Sequence, residues 1–254
     1  MLQDERLDAI IQYLNEYNRI DIETICKINH VSKDTARRDL IKLEDLKKII
    51  RIRGGAKKRL LSNEVYNYDQ RMNMELKAKS NIGKMAASLI NDEEHLILDA
   101  STTVQFVVKY LTSRNNTIVT NSINIASTLS QREDLKINIL SGTLNHRHQA
   151  IYGSKTIRDV QNYHVNKCLI GTCGISSEGL STSIEEEGLL LNEIIKRSDQ
   201  VIVLADSTKF NKSFFQKVCE LDAIDIVITD KDVPKMREIL NKHAIEVMVI
   251  PENI

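Results

Sequence analysis

Two sets of residues in this sequence have the types and spacing to do chemistry. The first is basic: Ser32, Lys33, Thr35, Arg37 and Arg38 fall within seven residues, and Arg51 and Arg53 follow at alternate positions. Cations at that density suit phosphate contacts, and an Arg presented to a major groove reads a guanine edge with paired hydrogen bonds. Arg37 or Arg38 is the expected base reader, with the others chiefly touching phosphates. The second set is small and polar and ends a series of apolar runs. It comprises Asp99-Ala100-Ser101-Thr102-Thr103, Thr120-Asn121-Ser122, Ser141-Gly142-Thr143 with Asn145-His146-Arg147-His148 behind it, and Asp206-Ser207-Thr208-Lys209. Hydroxyls and free N–H groups at helix N-termini suit a phosphate. Arg147 or Lys209 would neutralise it, while Asp99 and Asn121 would hydrogen-bond sugar hydroxyls. Taken singly, each segment is better explained as helix N-capping. Four at one edge of one sheet point instead to a polar ligand pocket.

The elements that must position these groups are legible from periodicity. Leu2 to Asn15 carries apolar residues at 2, 7, 10, 11 and 14, and Ile20 to Ile28 repeats the pattern at 22, 25 and 28. Asn29 to Val31 reads as a turn, and Ser32 as the N-cap of a third helix reaching about Leu46. Ala36, Leu40 and Leu43 would face inward there, leaving Lys33, Arg37 and Arg38 outside. Two helices joined by a short turn, the second basic, form a helix-turn-helix. Ile49 to Arg53 alternates as a strand would, Gly54-Gly55 turns, and Ala56 to Leu60 returns, which completes a winged helix. Asp39 is expected to orient a neighbouring Arg rather than face phosphate.

Residues 61–80 are polar and without clean period, so they read as a linker between a domain at 1–60 and another at 81–254. Beyond residue 81, strand-like runs begin at His95, Thr117, Lys136, Lys167, Val201, Ile224 and Glu246. Amphipathic helices over 102–111, 123–130, 184–197 and 233–242 separate most of them. Near-continuous apolar strands alternating with helices predict an α/β fold with a mostly parallel sheet covered on both faces. Ligands bind such sheets beyond the carboxyl ends of the strands.

Composition narrows the function classes. The 254 residues hold 35 Lys+Arg and 35 Asp+Glu, yet residues 31–60 carry a net +7, residues 1–30 a net −3 and the remainder −4. A local basic block on a mildly acidic protein is a nucleic-acid footprint, with a solvated helix face as the bland alternative. Apolar runs such as Val201–Ala205 are far shorter than the ~20 residues a membrane span needs. The start MLQDER lacks an apolar signal region, and four cysteines without a CxxC pair make no disulfide framework. A cytoplasmic protein without cofactor is expected. His146 and His148 read as exposed or ligand-touching rather than metal-binding, and Cys168 and Cys173 as small buried side chains. Glu185-Glu186-Glu187 reads as a helix-start acidic cluster.

The stretch VSKDTARRDLIKLEDLKKIIRIRGGA resembles the winged-helix signature of DeoR-type bacterial transcriptional regulators. The segments LDASTT, VTNS, LSG, IGTCGI, LADSTKF and IDIVITD resemble that family's sensor domain in order and spacing, so the likeness spans essentially the whole chain. The resemblance implies a DNA-binding repressor of a carbohydrate-utilisation operon. It also implies a sensor domain related to ribose-5-phosphate isomerases that binds a phosphorylated sugar or similar effector. An operator of paired half-sites implies a homo-oligomer, a dimer or tetramer. The chain departs from the family pattern at four places. Ser101 stands where LDxGTT has Gly, Lys47 replaces the Gly before the wing, and Arg53 replaces a His. Leu191 and Asn192 stand where a Lys-Arg pair is usual. If that Lys holds the effector's phosphate, a differently placed phosphate, an unphosphorylated ligand and no ligand at all remain open. The rival function is an isomerase-like enzyme with a DNA-binding leader, for which Asp99, Asp206 and Lys209 are the available groups but no acid–base pair at a recognisable spacing appears.

Overall fold

The computed structural model describes residues 2–58 and 66–251. The expected end of the second wing strand (59–60) and the first part of the expected linker (61–65) lie outside the described residues. The chain divides into two compact units, Met1–Ser62 and Asn63–Ile254.

The first unit runs α1 (Gln3–Tyr17), β1 (Arg19–Asp21), α2 (Ile22–Asn29), α3 (Lys33–Asp45), β2 (Ile49–Ile52) and β3 (Gly55–Lys58). Its strands form one antiparallel sheet in the order β1-β3-β2. Ile20, read as the start of a helix, instead pairs with Ala56 in β1, and α2 begins only at Ile22. Asp21 caps α2 by accepting from the Thr24 N–H at 2.7 Å. The core is Leu7, Ile10 and Leu14 of α1, Ile25 of α2, Ala36, Leu40 and Leu43 of α3, with Ile20, Ile49 and Ala56 from the sheet. Each fully buried large aliphatic side chain there contributes roughly 2 kcal/mol. Lys47, in the turn after α3, has φ +55°. That left-handed backbone is why the resemblance places a Gly at this point.

The second unit opens with α4 (Tyr68–Asn73) and α5 (Leu76–Ala87), so much of the stretch read as linker is helical. Then follow β4 (His95–Leu98), α6 (Thr102–Tyr110), β5 (Thr117–Thr120), α7 (Ile123–Leu129), β6 (Lys136–Ile139), β7 (Thr143–Asn145), β8 (Ala150–Tyr152) and α8 (Ser154–Val160). The chain continues through β9 (Val165–Gly171), β10 (Gly174–Ser176), β11 (Gly179–Thr182), α9 (Glu185–Lys196) and β12 (Ser198–Leu204). It ends with β13 (Gln216–Cys219), β14 (Ile226–Thr229), α10 (Pro234–Lys242) and β15 (Glu246–Val249).

All seven strand runs read from the sequence enter one parallel sheet, ordered β15-β14-β12-β9-β4-β5-β6. Alternation divides the strand residues between two cores. Leu96, Leu98, Ile118, Leu169, Ile202 and Ile228 meet α5, α6 and α7 on one face. Ile97, Val119, Cys168, Ile170, Val203 and Val227 meet α8, α9 and α10 on the other. From β4 the connections proceed to β5 and β6 in one direction, and from β9 to β12, β14 and β15 in the other. The β4/β9 boundary is therefore the topological switch point, where helices diverge and a crevice opens at the carboxyl ends. A small antiparallel sheet, β10-β11-β13, and the hairpin β7-β8 lie outside this frame and were not legible in the sequence.

Candidate functional site

In the first unit, Ser32 caps α3, its Oγ accepting from the Thr35 N–H at 3.3 Å and lying 3.1 Å from the Thr35 hydroxyl. The cap starts the helix so that Ala36, Leu40 and Leu43 face the core and Lys33, Arg37 and Arg38 face solvent. Asp39 is buried on the inward side and pairs with Arg6 of α1, Nε to Oδ2 at 2.7 Å and Nη2 to Oδ1 at 3.0 Å. This pair fixes α3 against α1: Asp39 does hold an Arg, but it is Arg6 of α1 and not a neighbour on α3. Among the described residues Lys33 and Arg37 make only exposed ion pairs, with Glu23 at 3.6 Å and Asp34 at 3.2 Å, which water and salt weaken. Arg51 of β2 reaches Glu44 of α3 at 3.2 Å, and Arg53 stands exposed beside the Gly54 turn. A capped helix with an anchored inner face and an exposed cationic outer face, flanked by a basic two-strand wing, has the form that enters a groove.

In the second unit, Asp99 leaves β4 at the switch point. Its carboxylate is buried, with Oδ1 accepting from the Ser101 N–H at 3.0 Å and Oδ2 from the Gly171 N–H at 3.1 Å. Burial pushes its pKa up to about 6 against these hydrogen bonds. Ser101 caps α6 by accepting from the Val104 N–H at 3.2 Å. Its side chain packs on Gly171, where an added Cβ would lie 2.4 Å from the Ser101 Cβ. The Gly missing at 101 is thus matched by a Gly across the crevice. Thr102 and Thr103 are buried in the first turn of α6.

After β5, Thr120 donates to the Leu98 carbonyl, Ser122 caps α7, and Asn121 donates to the Ile151 carbonyl at 3.2 Å. The Asn121 Oδ1 is buried and makes no hydrogen bond among the described residues. Gly142 has φ +149° and packs against Thr156 and the Tyr152 carbonyl at the foot of the hairpin. Arg147 is exposed in the β7–β8 turn, its carbonyl accepting from the Tyr68 N–H of α4 at 2.9 Å. His148, expected exposed or ligand-touching, is buried, and burial with Arg71 and Arg147 lowers its pKa to about 4. Lys209 stands 4.0 Å from the buried Asp206.

Three further groups at this edge, Glu187, Lys79 and Arg71, escaped the sequence reading. Glu187, read as part of an acidic helix start, turns inward from α9 to accept from the Thr182 hydroxyl and, at 3.4 Å, from the Tyr152 hydroxyl. Only Glu185 and Glu186 remain exposed in that first turn. Lys79 of α5 is buried at 3% exposure, and its ammonium donates to the Arg71 carbonyl of α4. Arg71 itself holds a buried Nε that makes no hydrogen bond among the described residues. Leu191 and Asn192 do structural work on α9: Leu191 is in the core, and Asn192 donates to the Val218 carbonyl at 2.7 Å. All four cysteines are free. Burial raises the Cys168 thiol to about 12 and, with the Glu187 charge, the Cys173 thiol to about 11. Both are inert at neutral pH. Among the described residues no group of three or more His, Cys, Asp and Glu could hold a metal ion.

Residues 74–231 match the family described as DeoR C terminal sensor domain, and residues 6–59 match the DeoR-like helix-turn-helix domain. The chain belongs to the DeoR family. It is 42% identical over 255 residues to the HTH-type transcriptional repressor GlcR of Bacillus subtilis, covering 100% of this chain and 98% of that one. The glycerol-3-phosphate regulon repressor of Escherichia coli is 29% identical over 250 residues, covering 97% and 98%. Among solved structures, ribose 5 phosphate isomerase A from Neisseria gonorrhoeae overlaps 52% of each chain at 14% identity and a TM-score of 0.37. This DeoR-family chain is a DNA-binding transcriptional regulator with a small-molecule sensor unit, not an isomerase-like enzyme. No helix among the described residues is long and apolar enough to cross a membrane.

Proposed function

We propose that the protein represses a carbohydrate-utilisation operon in the cytoplasm, where its DNA is. In this reading Ser32, Lys33, Thr35, Arg37 and Arg38 of the first domain (1–60) enter the major groove, and Arg51 and Arg53 of the wing touch flanking backbone. The second domain takes a phosphorylated sugar at Asp99, Ser101, Thr102, Thr103, Asn121, Ser122, Gly142, Arg147 and Lys209. Two copies or more read paired half-sites. The observation that carries the reading is the switch-point crevice. A buried Asp99 there combines hydroxyl-accepting carboxylate, helix N-termini and nearby cations, a set suited to a polyol that also bears negative charge. The name of the glycerol-3-phosphate regulon repressor agrees with that ligand chemistry.

An effector shifts operator occupancy only if it binds the DNA-competent and DNA-free states with different affinity. The test is binding to the DNA upstream of this protein's own gene, titrated with salt, with and without a panel of sugar phosphates. The expected result is tight binding that falls steeply with salt and that one sugar phosphate changes. Binding that no sugar phosphate alters would remove the effector assignment. Absence of specific binding at low salt would remove the operator assignment.

A further inference from the structure

The outer face of α3 carries one residue whose chemistry differs from the rest. Ile41 is 43% exposed, and among the described residues it is the one large apolar side chain of α3 left at the surface. Its neighbours on that face, Asp34, Arg37, Arg38 and Asp45, are all charged and exposed. At 3.6 residues per turn, Ile41 lies about 40° round the helix from Arg37 and about 60° from Arg38, so it stands between them and one turn further on. The charged side chains that flank it are drawn off the face. Lys42 donates to the Gln3 Oε1 of α1 at 2.9 Å and lies 3.8 Å from Asp4, while Glu44 accepts from Arg51 of β2 at 3.2 Å.

A single surface Ile is ordinary; what sets Ile41 apart is its place. The core beneath α3 is filled by Ala36, Leu40 and Leu43, and Ile41 takes no part in it. A β-branched side chain is also a poorer helix former than the Lys, Glu or Gln that suits a solvated position. Neither packing nor helix propensity therefore accounts for Ile41. Phosphates and guanine edges offer an aliphatic side chain nothing. The base edges of a major groove present one apolar group, the thymine C5-methyl.

We propose that Ile41 is a specificity-determining residue that packs on a thymine methyl in each operator half-site, beside the base pair contacted by Arg37 or Arg38. This assignment rests on the reading of α3 as the helix that enters the groove, and goes beyond it by naming a base and the group that recognises it. Along the helix axis Ile41 lies about 4.5 Å past Arg38, and bases are spaced at about 3.4 Å, so the thymine falls roughly one or two base pairs from the Arg38 contact. Taking one methyl out of water is worth about fourfold in affinity. Ile41 bears no charge, so its loss changes sequence preference and leaves the salt dependence of binding as it was, the reverse of losing a phosphate contact.

The test is fluorescence anisotropy on the full chain with the DNA upstream of its own gene, in which each thymine of the footprinted half-sites is replaced in turn by deoxyuridine, which lacks the methyl. Wild type is compared with Ile41→Ala, Ile41→Val and the Arg37→Ala, Arg38→Ala double variant. At one thymine of a half-site, deoxyuridine should weaken wild type about fourfold. Ile41→Ala should bind the two DNAs equally, with the salt slope of wild type, and Ile41→Val should fall between. Ile41→Ala losing the same factor as wild type at every thymine would overturn the assignment, as would a wild type indifferent to every replacement. Wild-type affinity in the double Arg variant would instead overturn the reading of α3 beneath it. Loss of binding there, with Ile41→Ala indistinguishable from wild type on every DNA, would overturn the thymine contact alone. Ala is a better helix former than Ile, so α3 should persist in Ile41→Ala. Circular dichroism checks this, and Ile41→Val carries the same comparison with a side chain closer to the original.

Discussion

Replacing Lys79 by Met should stabilise the unliganded protein, which is the reverse of the usual result of changing a buried residue. The Lys79 ammonium is held at about 8 instead of 10.5, because burial and the charges of Lys209 and Arg71 oppose it more than Asp206 and Glu75 support it. That gap corresponds to about 3 kcal/mol favouring the neutral amine, at ~1.4 kcal/mol for each tenfold change. The sign follows from linkage. Between about pH 8 and pH 10.5 the unfolded chain holds a proton on Lys79 that the folded chain has released, so wild-type stability rises with pH across that window. Below pH 8 the cost of the buried charge is present in full. Met fills a similar volume without charge, so Lys79→Met should be more stable at pH 7 by roughly 1–3 kcal/mol, the lower end allowing for the lost hydrogen bond to Arg71. The advantage should shrink towards zero by about pH 10.5. Urea unfolding followed by circular dichroism at several pH values measures both, and other titrating groups cancel in the difference between the two proteins. A variant less stable than wild type at pH 7, or a difference independent of pH, would refute the account of Lys79 as an uncompensated buried cation.

Other consequences can be checked alongside. Gly171→Ala forces a Cβ to within about 2.4 Å of Ser101 at the switch point, so it should lower the stability of the second unit and weaken effector binding while operator affinity without effector stays near wild type; unchanged effector calorimetry would contradict the packing at the crevice. Asp99, raised to about 6 by burial, binds its proton more tightly folded than unfolded, so its contribution to stability grows as pH falls from 6 towards 4 and is lost as pH rises through 6. Asp99→Asn should flatten that slope in pH-dependent urea melts. Asp39→Ala should unfold the first unit more readily and abolish operator binding, and Arg6→Met with Asp39→Leu together should melt later than Asp39→Ala, because the double change replaces both members of the pair by apolar side chains beneath α3.

The parallel sheet was legible because its inner strands are buried on both faces and so read as short apolar runs followed by small polar residues. The winged helix was legible because Ser32, Ala36, Leu40 and Leu43 carry both a start signal and a period. The strand β1 escaped because three residues, Arg19 to Asp21, show no alternation that can be distinguished from a helix start. The buried Lys79 escaped for a different reason. In LKAKS, Lys77 and Lys79 look equally solvated, yet Lys79 lies three residues before Ile82 and seven before Ala86, on the buried side of α5. That spacing was the available signal, and reading 61–80 as linker concealed it. Glu187 was similarly concealed by its exposed neighbours, although as the third residue of α9 it faces a different way from Glu185.

The central claim is that the outer face of α3 reads DNA and that the sensor unit modulates it. The most direct measurement is the affinity of the Arg37→Ala, Arg38→Ala double variant for the upstream DNA of its own gene, by fluorescence anisotropy across a salt series, with circular dichroism and effector calorimetry on the same preparation. The account predicts that specific binding is lost while the fold and effector binding remain intact. Full operator affinity in the double variant would contradict it and move the DNA-reading surface away from α3.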